Sequence, residues 1–492
     1  MEQSIEFSKE QRLAFNKYIQ GNNIFITGPG GSGKSALIKK IYEDACAKGK
    51  DIQVCALTGC AAVLLNCKAK TLHSWAGIGL GNASLEELVA KIKKNKFTKA
   101  IWKGTDILVV DEVSMLSLKL FNVLNEIGKA VRGNRKPFGG IKLIFSGDFY
   151  QLPPVGNRDD LETQQFCFES EDWNDVFPLS CQIQLVKIFR QTDETYTTVL
   201  NQIRVGVIKK KTNDLLNRYV GREYDKNLVV EPTKLFPTKN KVENINTSRM
   251  ALLEGEVKTF ALKYCKDLET TKSEREERLA FTDAQVQLEL DYLSGNLICD
   301  KEVSLKVGSQ VMCIINVQSD RGLEVCNGSQ GIITGFCEVT GFPRVKYNNG
   351  IIMVMSRHVW VSEKIPGVGV SQVPLILAWA LTIHKSQGAT LDVAEIDVGS
   401  GIFECGQTYV ALSRVKSLEG LYLTSFDARR IRIHKKVKQF YENLQLYWDS
   451  HDDAVIYAEP IQEAVPVPTN VFIDYQYVEA EVITVISEEK CH

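Results

Sequence analysis

The chain has 492 residues, 44% of them hydrophobic and 24% charged. It is too long for one core, and about three domains of an ordinary globular protein are expected. Its 13 cysteines are scattered and never spaced C-x-x-C, which argues against a disulfide framework or a zinc site and fits a reducing, intracellular compartment. The best apolar run, Val373 to Ile383, falls well short of the roughly 20 residues that span a bilayer. It reads as a buried strand, so a soluble protein with no membrane partner is expected. The net charge of −1 hides an asymmetry: residues 449–492 are acidic, which leaves about +8 on residues 1–448.

In chain order, Ser8 is a plausible cap for an amphipathic helix that carries Gln11 near its start. The Gln11 amide both donates and accepts, and so could read an adenine edge; a solvated helix residue is the alternative. The apolar run Ile24 to Thr27 reads as a strand. It leads into Gly28-Pro29-Gly30-Gly31-Ser32-Gly33-Lys34-Ser35, followed by a helical pattern. This is the phosphate loop G-x-x-x-x-G-K-S in its strand–loop–helix setting. Glycines let backbone N–H groups wrap a phosphate chain, and the next helix adds its positive end. Lys34 is expected on the β- and γ-phosphates of ATP, and Ser35 on Mg²⁺.

Residues 52–66 read as a strand, a turn at Thr58 and a helix, and His73 follows shortly after. Small and hydroxylated residues at a strand's carboxyl end lie where open α/β sheets bind ligands. Lysines interleave with aromatics in residues 81–103, which suits nucleic acid, although a solvated helix face explains them equally well. The run Ile107 to Val110 ends in Asp111-Glu112. Beside a phosphate loop, Asp111 holds Mg²⁺ through its water shell and Glu112 deprotonates the attacking water. A further strand leads to Gly147-Asp148-Phe149-Tyr150-Gln151-Leu152-Pro153-Pro154, with Gln151 placed to sense the γ-phosphate. A second lobe is expected from near Cys181, with Arg190 close to its start. After about residue 303 short alternating strands take over, with Asn349-Gly350 as a hairpin signal; a small β-barrel inserted in the second lobe is expected. The α/β pattern resumes through His384-Lys385-Ser386-Gln387-Gly388, a turn suited to backbone phosphates. Arg414, on a following helix, suits a γ-phosphate across a cleft. A basic stretch at 429–438 precedes the acidic tail, which is expected to be weakly ordered.

This set of motifs resembles the superfamily-one DNA helicases of the Pif type (the petite integration frequency helicases), with RecD as a more distant relative. The resemblance covers about residues 5–445. It rests on Asp111-Glu112-Val113-Ser114-Met115, on Gly147 to Pro154, on Leu305-Lys306-Val307-Gly308 with Asn327-Gly328-Ser329, and on Leu377 to Gly388. It implies an α/β fold of two RecA-like lobes: residues 1–180, with a small insertion at 78–104, and residues 181–302 plus 366–448. It further implies a Src-homology-3-like (SH3-like) barrel at 303–365, with the tail at 449–492. ATP and Mg²⁺ would bind between the lobes. Gln11 would contact adenine, while Gln151, Arg190 and Arg414 would touch the γ-phosphate, the two arginines reaching over from the second lobe. Thr58, His73, His384 and Lys385 would line the path of DNA. The implied activity is ATP-driven 5′-to-3′ translocation on single-stranded DNA with unwinding of forked duplex, in replication, repair, recombination or telomere maintenance, by a monomer acting in the nucleus or at a site of DNA replication. The segment 78–104 is the expected part of a strand-separating wedge. An RNA helicase, a translocase that strips proteins, and a non-motor nucleotide switch are the alternatives.

Overall fold

A computed structural model describes residues 7–57, 65, 67, 69–79, 83–157, 159–191, 193–225, 228–319, 322–362 and 365–451. Thr58 and nearly all of the acidic tail lie outside these residues. Among the described residues no helix is long and apolar enough to cross a membrane.

The first lobe is built on a parallel sheet of six strands: β1 Ile24–Thr27, β2 Ile52–Ala56, β3 Lys70–Thr71, β4 Ile107–Asp111, β5 Lys142–Gly147 and β6 Gln182–Gln184. Their order is β3-β2-β4-β5-β1-β6. Strands β1 and β4 are buried along their whole length, as expected of parallel strands covered on both faces. Helices Lys9–Ile19 and Lys34–Ala47 supply one covering layer, with Leu13, Phe15, Leu37, Ile38 and Ile41 against Ile24 and Ile26. Helix Leu118–Arg132 and its neighbours supply the other, around Phe25, Phe121, Phe145 and Trp173.

Two boundaries differ from the sequence expectation. Strand β6 pairs in parallel with β1, Phe25 opposite Gln182, and Leu185 N–H donates to Thr27 O. Residues 181–191 therefore extend the first lobe rather than open the second. Helix Lys435–Asp449, expected in the second lobe, also packs on the first: Val437, Tyr441 and Leu444 enter its core, and Trp448 Nε1 donates to Gln182 O at 2.9 Å. Both segments are bound by contacts more than 150 residues away in sequence, which no local pattern records.

The second lobe has a parallel sheet in the order 380–382, 233–236, 394–398, 421–426. Between its first two strands in the chain lies an antiparallel section wider than the expected 303–365. Strand Lys258–Ala261 pairs with Glu302–Leu305, and Lys263–Cys265 pairs with Gly369–Gln372. The expected hairpin at Asn349-Gly350 joins Pro343–Tyr347 to Ile352–Val354. The apolar run Val373 to Ile383 is two strands and not one. Leu375–Leu377 pairs antiparallel with Gln310–Cys313, and Ala380–Thr382 pairs parallel with Thr233–Phe236. A single apolar run serves both sheets because they share a continuous core, from Leu235 and Ile396 through Val311 and Val345. Buried amides close the seam. Gln330 Nε2 donates to Thr233 Oγ1 at 2.6 Å, and Gln310 Nε2 to Ala378 O at 3.0 Å.

The insertion in the first lobe forms helices Leu85–Lys94 and Lys96–Gly104. Leu88, Ile92 and Trp102 are buried, and Trp102 packs against Trp75 with centroids 4.4 Å apart and planes tilted by 44°. Phe97 leaves this core and meets Phe281 of the antiparallel section edge-on at 5.3 Å.

Candidate active site

The loop after β1 takes positive φ at Gly28, Gly31 and Gly33. A Cβ at Gly31 would overlap that of Arg190, and one at Gly28 would strike the carbonyl of Leu185, so close packing as well as backbone freedom demands glycine here. Gly33 begins helix Lys34–Ala47 without a side-chain cap, which presents the first-turn N–H groups and the helix's positive end to the loop. Lys34 Nζ donates to Gly28 O at 2.8 Å and to Pro29 O at 3.0 Å. Burial pushes the Lys34 pKa down, while Asp148, Glu112 and Asp111 oppose that shift. Ser32 is buried, and its hydroxyl has no hydrogen-bond partner among the described residues. A glycine cradle with backbone donors, one lysine and an orphaned hydroxyl fits a polyphosphate.

Asp111 closes β4 and is 7% exposed. Burial raises its pKa, and Ser146 and Lys34 act against that rise. Glu112 follows in a left-handed conformation, φ 56° and ψ 39°, which costs a non-glycine residue about 1–3 kcal/mol. Burial, and then Asp111 beside it, push the Glu112 carboxyl up to about 7. A carboxylate with its pKa near neutrality is matched to general-base work. Ser35 at the start of the helix and Asp111 at the strand tip are hard oxygen donors, the chemistry that suits Mg²⁺.

The facing wall is made of side chains. Arg414 is 2% exposed; it donates to Val410 O at 2.9 Å, Ala389 O at 3.3 Å and Ser413 Oγ at 2.8 Å. Burial lowers its pKa, Arg190 adds to the effect, and Glu112 opposes it. Arg190 Nη1 donates to Ser413 O at 3.3 Å. This arginine does not reach over from the second lobe, as the sequence reading expected. It leaves the first lobe's own edge, where Phe189 N–H donates to Gly31 O. Two guanidiniums thus share one site with Lys34, and such a like-charge cluster is relieved by a polyanion. Gln151 is buried, its carbonyl lies against Gly406 at the start of helix Gln407–Leu412, and Leu152 next to it enters the second lobe's core.

Besides the bond from Arg190 to Ser413 O, further contacts fasten the walls together. Gln387 Nε2 donates to Glu112 Oε2 at 3.2 Å. Gly30 N–H donates to the Tyr409 hydroxyl at 2.8 Å. Arg204 forms a two-pronged pair with Asp148, both bonds 2.8 Å, with exposures of only 6% and 0%. The Arg204 guanidinium lies over the rings of Tyr150 and Tyr441, 4.6 and 5.3 Å from their centroids. Tyr441 OH also meets Thr27 Oγ1 at 2.6 Å and accepts from Phe149 N–H at 3.1 Å.

Gln11 is 2% exposed. Its Oε1 accepts from Ser8 N–H at 2.9 Å and its Nε2 donates to Gly33 O at 3.3 Å. It therefore braces the phosphate loop, with one amide hydrogen left to give. Of the expected DNA-path residues, His73 lies in helix Leu72–Ala76, and His384 and Lys385 lie in the turn that carries Gln387. Burial lowers the pKa of both histidines, which keeps them neutral donors near pH 7. Lys385 is exposed. Thr71, two residues before His73, hydrogen-bonds the hydroxyl of Tyr292 in helix Asp283–Asn296. Sequence reasoning passed over Gln387 and Tyr409 as site residues although both sit inside motifs it used. It had no signal for Arg204 or Tyr441.

The family model described as PIF1-like helicase matches residues 6–214, and that of the 2B domain of the DNA helicase Pif1 matches residues 290–336. The ATP-dependent DNA helicase PIF1 of Emericella nidulans is 36% identical over 483 residues, covering 86% of this chain. This chain spans 61% of that relative's length. The crystal structure of Pif1 helicase from Candida albicans matches at 35% identity with a TM-score of 0.69, covering 89% of this chain and 100% of that one. Pif1 from Bacteroides sp. in complex with ADP-AlF4 matches at 27% identity with a TM-score of 0.70, covering 91% and 98%. The same protein bound to single-stranded DNA matches at 28% with a TM-score of 0.59, covering 92% and 98%. By its motifs, its two parallel-sheet lobes and these relatives, the chain belongs to the PIF1-like helicase family.

Proposed function

We propose that this chain hydrolyses ATP between its two lobes and uses the cycle to move 5′ to 3′ along single-stranded DNA, opening forked duplex as it advances. One observation carries the coupling: the turn with His384 and Lys385 also holds Gln387, whose amide bonds the Glu112 carboxylate. A change of grip at that turn therefore reaches the catalytic base through one side chain.

Lys34 and the loop N–H groups hold the phosphates. Glu112 takes a proton from the attacking water, and Arg190 and Arg414 stabilise charge as the γ-phosphoryl group leaves ADP. An arginine in this role contributes about 10³–10⁵ in rate. Ser35 and Asp111 would hold Mg²⁺, which would supply positive charge against the phosphates as charge develops in the reaction. Each base-pair step costs about 1.4 kcal/mol to open, a modest load for one turnover. All these groups come from one chain, which supports a working monomer. The helices at 85–104, held through Phe97 against Phe281, are the proposed wedge support.

Strand displacement on duplexes with 5′ or 3′ tails, in DNA and in RNA, tests the reading. Unwinding of 5′-tailed DNA is expected. Opening only 3′-tailed or RNA duplexes, or an ATPase indifferent to single strands, would overturn it.

A further inference from the structure

Tyr409 belongs to helix Gln407–Leu412 and is 3% exposed. That helix begins at Gly406, where φ is +73° and a Cβ would strike the carbonyls of Tyr150 and Gln151. The helix is thereby pressed onto the first lobe, and the Tyr409 ring is directed at the phosphate loop. Its hydroxyl accepts the N–H of Gly30 at 2.8 Å. Around Gly30 three groups converge. A Cβ built there would lie 3.7 Å from Tyr409 OH, 3.7 Å from Ser413 Oγ and 3.8 Å from Arg190 Nη1.

These groups are not equally free to meet a ligand. Ser413 Oγ donates to Val410 O at 3.0 Å and accepts from Arg414 at 2.8 Å, so it is spent on the helix. The Tyr409 hydroxyl has accepted one bond, and its own hydrogen has no acceptor among the described residues. Burial, with Asp148 adding to it, pushes this phenol up to about 12, so the O–H remains a donor across the working pH range. A phenol that holds a loop N–H with its lone pair and still has its hydrogen to give, with Arg190 and Arg414 near by, is suited to a terminal phosphate oxygen.

We propose that Tyr409 is a positioning residue that tells nucleoside triphosphate from diphosphate, donating its hydroxyl to the terminal phosphate and holding the Gly30 N–H when only a diphosphate is bound. The inference rests on the ATP reading above. It makes loop and second lobe exchange partners at the step where the terminal phosphate is lost, and so links product release to opening of the cleft.

Tyr409→Phe removes the hydroxyl and keeps the ring. Affinities of the full chain for a non-hydrolysable ATP analogue and for ADP are measured side by side. A hydrogen bond to a charged group is worth about ten- to hundredfold, so the variant's preference for the triphosphate over ADP is expected to shrink by that factor. An unchanged ratio, or both affinities falling together as general damage would produce, overturns the inference. If the wild-type chain binds neither nucleotide, the ATP reading falls with it; binding with an unaltered ratio overturns only the role of Tyr409. As a second measurement, the Gly30 amide of the ADP-bound wild type is expected to exchange hydrogen slowly, and faster in Y409F. Equal exchange overturns the inference.

Discussion

The two walls of the cleft are built on opposite principles. The phosphate-loop wall is backbone: three glycines at positive φ, a helix start and one lysine, within eight consecutive residues. The facing wall is side chain: Gln387 bonded to the Glu112 carboxylate, Tyr409 to the Gly30 N–H, and Arg414 held by the carbonyls of Val410 and Ala389. A backbone cradle binds phosphate whenever its local conformation forms. A side-chain wall acts only when a distant part of the chain has folded against it. Most of the affinity for phosphate is therefore expected to reside in the first wall, and rate, direction and the choice of triphosphate over diphosphate in the second.

The largest effect that sharpens this division is at the arginines. Arg414→Ala, on the facing wall, is expected to lower kcat by about 10³–10⁵ while leaving ATP-analogue affinity within about tenfold, as read by single-turnover hydrolysis and equilibrium binding. A matched loss of binding would erase the division. Next is the base. Glu112→Gln is expected to reduce turnover by about 10²–10⁴ with ATP and DNA still bound, and near-normal turnover would refute the choice of base. The same carboxyl sets a pH limb. Because its free-enzyme value is about 7, kcat/KM is expected to rise with pH through about 7 as the active carboxylate forms. The stability sign is the reverse. Between the ordinary carboxylate range and about 7 the folded chain holds a proton that the unfolded chain has released, so ionising Glu112 costs stability as pH rises. Glu112→Gln is therefore expected to raise Tm at pH 8 relative to pH 5, by thermal denaturation.

A third test addresses the seam. Arg204→Leu strands Asp148 as a buried charge, an expected loss of about 3–5 kcal/mol in denaturant unfolding. Arg204→Leu with Asp148→Leu should recover much of it, and a double variant as weak as the single would mean the ring stack on Tyr150 and Tyr441 dominates. The smallest effect is at Gln387→Ala. Loss of its bond to the ionised carboxyl should move the pH limb upward and reduce stimulation by single-stranded DNA about tenfold, with basal binding of ATP intact. Unchanged DNA stimulation would remove Gln387 from the coupling path.

How far the sequence could be read follows the same division. Gly28 to Ser35 and Asp111-Glu112 announce their chemistry through residue type at short range, and the strands and helices that carry them were legible from apolar runs and caps. Arg414 could be placed across a cleft by resemblance, but the helix expected to carry it ends at Leu412 and Arg414 lies in the turn beyond. Arg190 could be named but was given to the wrong lobe, since only the pairing of Gln182 with Phe25 decides where residues 181–191 belong. The antiparallel section was drawn too narrow because Lys258–Ala261 and Lys263–Cys265 pair with strands some 40 and 100 residues onward. The pair Asp148–Arg204 had no signal, because an arginine on an amphipathic helix reads as surface until the tertiary fold covers it.

Helix Lys435–Asp449 gives the molecule a mechanical property beyond its packing. The chain leaves the first lobe after Gln191 and re-enters it at this helix, which Tyr441 fastens to Thr27 and Asp148. The second lobe is thus anchored at two points along one seam, like a leaf on two pins. Opening the cleft must release the Gln387–Glu112 and Gly30–Tyr409 bonds, whereas sliding along the seam must also break the buried Arg204–Asp148 pair. In the proposed cycle, a lobe fastened in this way would turn an event as small as the loss of one phosphate into a movement of limited kind.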